Sequence, residues 1–85
     1  MSYSVTLLRD AQKALDKMEA AQRGRVIRAM RLLEDEPRHS SVVKLAGPED
    51  LYRVRVGDWR IVYAIRDNAL VVIVIRIGHR REVYR

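Results

Sequence analysis

The sequence contains no cysteine, so it can form neither a disulfide bond nor a cysteine-based metal site. Its two histidines lack the spacing of a zinc-binding pattern. No apolar run reaches the roughly 18 residues that a membrane-spanning helix needs. Residues 1–8 also lack the basic and apolar regions of a secretory signal peptide. We therefore expect a cytoplasmic protein that uses no metal, no small-molecule cofactor and no membrane.

Positive charge is the main feature of what is present. The chain has 17 Lys and Arg residues against 11 Asp and Glu residues, a net charge of +6. Only three of the basic residues are lysines (Lys13, Lys17 and Lys44), and the others are arginines. The planar guanidinium of arginine matches two phosphate oxygens at once. This balance indicates an acidic partner, which is a nucleic acid, an acidic protein or both.

The first half of the chain has mainly helical periodicity. Residues 2–7 alternate, with Tyr3, Val5 and Leu7 on one face, and predict a first strand. Residues 9–36 then show apolar stripes at helical spacing. As one helix they would be about 42 Å long, too long for a domain with a radius of gyration of about 12 Å. We therefore expect a break between residues 19 and 24, and hence a helical hairpin.

The second half of the chain has the pattern of a sheet. The predicted strands are residues 42–45 at an edge, 51–56, 59–66 and 69–77. The last of these is almost wholly apolar, which is typical of a central strand covered on both faces. The expected fold is α+β, a single domain over residues 1–85. It has an N-terminal strand and a helical hairpin packed on one face of a largely antiparallel sheet, in the order β-α-α-β-β-β, to which residues 42–45 would add a short edge strand.

A two-residue turn at Gly57-Asp58 sets the register of the predicted hairpin. The expected pairs are Val56 with Trp59, Arg55 with Arg60, Val54 with Ile61, Arg53 with Val62, and Tyr52 with Tyr63. The apolar members share one face, which we expect to pack on the helices. Arg53, Arg55 and Arg60 share the other face.

Arg55 and Arg60 stand directly opposite each other in this register. Like charges in that position destabilise a sheet by up to about 1 kcal/mol. A ligand phosphate would supply the missing negative charge. The alternative is that the arginines extend into solvent or pair with acids, of which the sequence offers Glu49, Asp50 and Glu82.

Two segments carry a resemblance to a known family. Residues 51–63, LYRVRVGDWRIVY, and residues 78–84, GHRREVY, resemble the RelE branch of the RelE/ParE toxin superfamily. The resemblance implies a toxin of a type II toxin–antitoxin system that enters the ribosomal A site and cleaves mRNA there without a metal. In that reaction the 2′-OH of the mRNA attacks the adjacent phosphate. The implied partners are the ribosome, mRNA and a cognate antitoxin protein.

The resemblance also implies roles for individual residues. Arg55, Arg60 and Arg80 would stabilise the phosphate, and Tyr84 would stack on or orient the nucleotide. The residues expected to hold the RNA are Lys44, Arg53 and Arg81. Arginine has a pKa above about 12 and is a poor general base. Proton transfer then falls to Tyr84 or His79, or catalysis rests on electrostatics and on positioning by the ribosome.

Two other functions remain open from the sequence. One is a ParE-like toxin of the same fold, which inhibits DNA gyrase and cleaves no RNA. The clustered arginines and Tyr84 argue against it. The other is a non-catalytic RNA-binding module.

Overall fold

Five strands and two α-helices form the part of the chain that the structure, a computed structural model, describes, residues 2–79. The elements are β1 (Ser4–Leu7), α1 (Arg9–Asp16), α2 (Ala20–Asp35), β2 (Val42–Lys44), β3 (Leu51–Val56), β4 (Trp59–Arg66) and β5 (Val71–His79). A short 3-10 turn, Asp67–Ala69, joins β4 to β5. The α+β class, the first strand and the short edge strand β2 are confirmed.

The strands form one mixed sheet in the order β1-β5-β4-β3-β2. β1 runs parallel to β5, and every other pair is antiparallel. The last strand, β5, is an interior strand flanked by β1 and β4, as predicted, but the prediction that both of its faces are covered is wrong. In β5, Val72 and Val74 are buried while Val71, Ile73 and Ile75 are only half-buried. Its apolar sequence therefore reflects one core face and one partly exposed face.

The helical hairpin is confirmed, but its break lies earlier than predicted, at residues 17–19. Gly24 is consequently inside α2 rather than in the connection. The side chain of Arg23, on the first turns of α2, fixes this position. Its Nε donates to the carbonyl of Leu15 at 3.2 Å and its Nη2 to the carbonyl of Met18 at 2.7 Å. These bonds tie α2 to the last turn of α1 and to the connection between the helices.

Both helices pack on the same face of the sheet. The buried core joins residues of the helical hairpin to residues of the sheet. From the hairpin come Ala11, Leu15, Val26, Met30, Leu33 and, in the connection between the helices, Met18; from the sheet come Val54, Ile61, Tyr63, Ile65, Val72, Val74 and Ile77. Tyr52, Val56 and Trp59 pack against this core, so the predicted apolar face of the hairpin is confirmed. Within residues 2–79, neither helix is long and apolar enough to cross a membrane.

A polar cluster fastens the connector after α2 to the turn before β5. Arg38 donates to both carboxylate oxygens of Asp67, at 3.0 and 2.9 Å. Asp67 also accepts from the hydroxyl of Tyr3 at 2.7 Å. The Arg38 guanidinium lies 5.3 Å from the ring centroid of Tyr52, which stacks on Tyr63. Two segments that are 29 residues apart are thereby held at one end of the sheet.

Acid should weaken this cluster. The hydrogen bonds from Arg38 and then from Tyr3 lower the pKa of Asp67 from 3.8 to about 2. Because the pKa is depressed in the folded state, the carboxylate stabilises the fold above about pH 4. That contribution is lost as the pH falls toward 2. We predict that the unfolding free energy falls more steeply in this range for the parent than for Asp67→Asn, measured by urea denaturation.

Asp35→Asn is the control, because it removes one exposed carboxylate at the end of α2. It should keep the steep acid dependence of the parent. Identical acid dependence in the parent and Asp67→Asn would contradict the assignment of this cluster as a pH-dependent contact.

Candidate functional site: an arginine face on the sheet

The hairpin of β3 and β4 has the register expected from its turn. Arg55 pairs with Arg60, Val56 with Trp59, and Tyr52 with Tyr63. Gly57 adopts a φ of +61°, a left-handed conformation that glycine reaches without a steric penalty. The short turn therefore keeps the two strands in a register that brings the two arginines side by side.

The face turned away from the helices carries four arginines near this turn. We call Arg53, Arg55, Arg60 and Arg76 the arginine face. Cross-strand pairing arranges them in two rows. One row is Arg55, Arg60 and Gly78, and the other is Arg53, Val62 and Arg76. The paired positions within these rows hold no acid, so the described register concentrates positive charge on one side of the sheet.

Arg60 differs from its neighbours in burial. Its residue is only 4% exposed, whereas Arg55 and Arg76 are exposed and Arg53 is half-buried. An arginine stays protonated under all ordinary conditions. A cation held away from water attracts an anion more strongly than one in bulk solvent, because the local dielectric constant is lower. The row therefore combines a fixed buried cation with an exposed one beside it.

Arg55 is oriented by the turn that follows it. Its Nε donates to the carbonyl oxygen of Gly57 at 3.0 Å. This bond directs the side chain along the hairpin towards the turn. The guanidinium of Arg55 is thereby partly preorganised, which lowers the entropy cost of binding an anion there.

Lys44 lies apart from the arginine face. It pairs with Tyr52, whose ring stacks on the buried Tyr63, so its position belongs to the helix side of the sheet edge. Its Nζ forms an ion pair of 3.3 Å with Asp50, one of the acids considered as a partner for the arginines. The structure therefore does not bring Lys44 together with the predicted phosphate-binding residues.

His79 is also separated from the arginine row. It pairs with Trp59 and meets its ring edge-to-face, with centroids 5.7 Å apart. Trp59 belongs to the helix side, so the sheet lies between this imidazole and the guanidiniums of Arg55 and Arg60. The predicted residues Arg80, Arg81 and Tyr84, like Glu82, lie outside the described residues.

A β-bulge explains both the displacement of His79 and the presence of Arg76. Val62 pairs with Arg76 but the next residue, Tyr63, pairs with Val74, so Ile75 is an extra residue in β5. The inside–outside alternation shifts by one at this point. Arg76 therefore turns to the arginine face, and His79 turns to the helix side. Strict alternation along the sequence gives the opposite assignment, so sequence reasoning missed Arg76.

The described part of the chain contains no cluster of side chains that could bind a metal ion. Nowhere in residues 2–79 do three His, Asp or Glu side chains come together in a way that could hold a metal ion. The groups that converge on the arginine face are cationic donors.

Comparison with known proteins identifies the family. Residues 3–84 match the family model described as the ParE toxin of the type II toxin–antitoxin system parDE. The chain belongs to this family. Its relatives further place it as a RelE-like toxin of the RelE/ParE superfamily. It is 30% identical over 84 residues to a putative RelE-like toxin protein of Escherichia coli, covering 96% of this chain and 87% of that protein.

Solved structures agree with this placement of the RelE-like toxin. The archaeal RelE–RelB complex from Pyrococcus horikoshii OT3 contains a chain that is 33% identical, with a TM-score of 0.81 over 94% of this chain and 97% of that one. The isolated E. coli RelE toxin is 29% identical, with a TM-score of 0.82 over 98% and 92%. The RelBE2 complex of Mycobacterium tuberculosis gives 26% identity and a TM-score of 0.83 over 94% and 100%.

The opposed pair Arg55–Arg60 should make stability depend on salt. Like charges at paired positions cost a few tenths of a kcal/mol, and at most about 1 kcal/mol. Near 1 M salt the screening length falls to about 3 Å and most of that cost disappears. We predict that added salt raises the unfolding free energy of the parent toxin more than that of Arg55→Gln.

Arg31→Gln is the matched control, because it removes one charge from an exposed position of α2. It should respond to salt as the parent does, apart from the small change in net charge. Equal salt responses of Arg55→Gln and Arg31→Gln would contradict a repulsive pair at this position.

Proposed function

We propose that this RelE-like toxin is a ribosome-dependent mRNA endoribonuclease that inhibits translation. It binds mRNA in the ribosomal A site, and the 2′-OH of one nucleotide attacks the adjacent phosphorus. The bond to the 5′-oxygen of the next nucleotide breaks, which leaves a 2′,3′-cyclic phosphate and a 5′-hydroxyl. No metal takes part. The observation that carries this proposal is the Arg55–Arg60 row on the sheet face turned away from the helices.

The row suits the charge that develops in this reaction. Attack by the 2′-oxygen gives a pentavalent phosphorus with more negative charge on its oxygens than the starting diester. Arg55 and Arg60 stabilise those oxygens through charge-assisted hydrogen bonds. The phosphate in turn relieves the repulsion between the two guanidiniums. Arg53 holds the adjoining backbone, and the resemblance adds Arg80, Arg81 and Tyr84 to the same site.

The reaction also needs a group that accepts the proton of the attacking 2′-OH. The guanidiniums of Arg55 and Arg60 cannot serve as bases near neutral pH. His79 can act only if the RNA reaches the helix side beside Trp59, and its role as proton donor or acceptor stays a prediction. The proposal therefore gives the 2′-OH proton to Tyr84, or to solvent water when catalysis rests on electrostatics and on positioning by the ribosome. The departing 5′-oxygen takes up a proton from solvent and becomes the 5′-hydroxyl. The arginines lower the barrier by electrostatics in either case.

A cognate antitoxin completes the proposed system. Solved relatives include complexes of RelE with RelB from P. horikoshii and of E. coli RelBE. We propose that an antitoxin protein binds this toxin as well. A net charge of +6 favours an acidic partner and fast electrostatically steered association.

A second function is favoured by one finding. The family model that matches residues 3–84 is described as ParE. A ParE-like toxin would inhibit DNA gyrase and leave mRNA intact. Primer extension on translated mRNA after induction of the toxin separates the two. New 5′ ends at A-site codons, with unchanged DNA supercoiling, support the endoribonuclease. Intact mRNA together with inhibited gyrase would overturn it in favour of the ParE-like function.

Substitution of Arg60 tests the site itself. We predict that Arg60→Ala abolishes growth inhibition and lowers the rate of mRNA cleavage on ribosomes by about 10²–10³-fold, as loss of one buried transition-state donor does. Arg60→Lys should also lose most activity, because lysine keeps the charge without the planar fork. Rates come from quantitative primer extension with purified ribosomes.

Because Arg60 is buried, its replacement by alanine can also destabilise the fold. The lysine variant is included because it keeps a long, charged side chain at this position. Thermal unfolding followed by circular dichroism checks each protein. Arg66→Ala serves as the control, because Arg66 is exposed at the far end of the same strand. A folded Arg60→Lys or Arg60→Ala that remains as toxic as Arg66→Ala would overturn the role of the arginine row.

A further inference from the structure

Arg76 lies on the opposite face of the sheet from the one that regular alternation along β5 would give it. Val72 and Val74 are fully buried on the helix side, so regular alternation would place residue 76 in the core beside Ile61. The extra residue Ile75 prevents this. Ile77 takes the core position opposite Ile61, and Arg76 becomes an exposed residue opposite Val62. The bulge thus carries the one Arg or Lys of β5 onto the arginine face.

The cross-strand neighbours of Arg76 place it near a second arginine of the arginine face. Val62 separates Arg76 from Arg53, and all three lie in one row across β5, β4 and β3. Strands in a sheet are about 4.8 Å apart, so the Cα atoms of Arg53 and Arg76 lie about 10 Å from each other. Val62 itself is only 8% exposed. In this row the apolar side chain of Val62 lies between the side chains of Arg53 and Arg76.

This row runs beside the one that contains Arg55 and Arg60. Two residues along a strand separate the rows, a distance of about 7 Å. A single phosphate on the Arg55–Arg60 row leaves the Arg53–Arg76 row to face the next part of the same backbone. Bulges recur beside functional sites, where they re-aim a side chain at the expense of regular pairing.

We infer that Arg76 is a further RNA-binding residue of this toxin. Together with Arg53 it holds the backbone phosphate next to the scissile one, which lies on the Arg55–Arg60 row. The inference rests on the proposed function for the identity of the scissile phosphate. Arg76 is a positioning residue that aligns the RNA chain, and the chemical step belongs to the other row.

The test compares Arg76→Gln with Arg31→Gln, which removes the same charge from the exposed surface of α2. The probe is a short single-stranded RNA with one 2′-deoxynucleotide at its centre, so that the 2′-OH attack cannot occur there. Fluorescence anisotropy gives its affinity at a series of salt concentrations. Loss of one phosphate contact on a single strand should flatten the plot of log K against log salt by about 0.7. It should also weaken binding by about tenfold at low salt.

A second measurement follows mRNA cleavage on ribosomes as the toxin concentration is varied. For Arg76→Gln the concentration giving half-maximal cleavage should rise, and the maximal rate should change much less. Arg76→Lys keeps the charge and should restore the salt slope. Arg31→Gln should match the parent in RNA affinity, salt slope, half-maximal concentration and maximal rate.

The outcomes separate this inference from the function on which it rests. If the parent cleaves mRNA and Arg76→Gln behaves as Arg31→Gln does, the role of Arg76 is overturned and the proposed function stands. If the parent cleaves no mRNA but Arg76→Gln still flattens the salt slope, Arg76 is a phosphate contact and the endoribonuclease proposal falls. A maximal rate that collapses with unchanged RNA affinity would overturn the positioning role.

Discussion

Two guanidiniums held opposite each other on adjacent strands are the constraint around which the site is organised. The Gly57-Asp58 turn fixes the register of β3 and β4, and that register leaves Arg55 and Arg60 in one row. Like charges at paired positions of a sheet cost stability, and an anion bound by both guanidiniums would recover that stability. Helices cover the opposite face of the sheet, so the main hydrophobic core and the arginine face lie on different sides of the same strands.

The β3–β4 hairpin therefore contributes both to the hydrophobic core and to the proposed anion-binding site. Val54, Ile61 and Tyr63 build the core, while Arg53, Arg55 and Arg60 on the other face carry the charge. A β-bulge then adjusts the neighbouring strand without disturbing this division. It brings Arg76 towards the cations and returns Ile77 to the core. One extra residue, Ile75, thus changes which side chain of β5 lies on the arginine face.

Much of this arrangement could be predicted from the sequence because it depends on local rules. Turn length and two-residue alternation are sufficient for all five expected hairpin pairs. The missed features depend on contacts between distant segments. Arg23 of α2 donates a hydrogen bond to Leu15 of α1, and Arg38 donates to Asp67, which is 29 residues away. The faces of Arg76 and His79 depend on a bulge, which is visible only once β5 is paired with β4.

The most direct test of the arginine face observes the guanidiniums themselves. Arginine side-chain Nε–H resonances, assigned by NMR, would be followed during titration with a single-stranded RNA that carries a 2′-deoxynucleotide at its centre. We predict that the resonances of Arg55 and Arg60 shift first, while those of Arg28 and Arg31 on α2 stay unchanged. Shifts confined to the α2 arginines, with Arg55 and Arg60 unaffected, would contradict it.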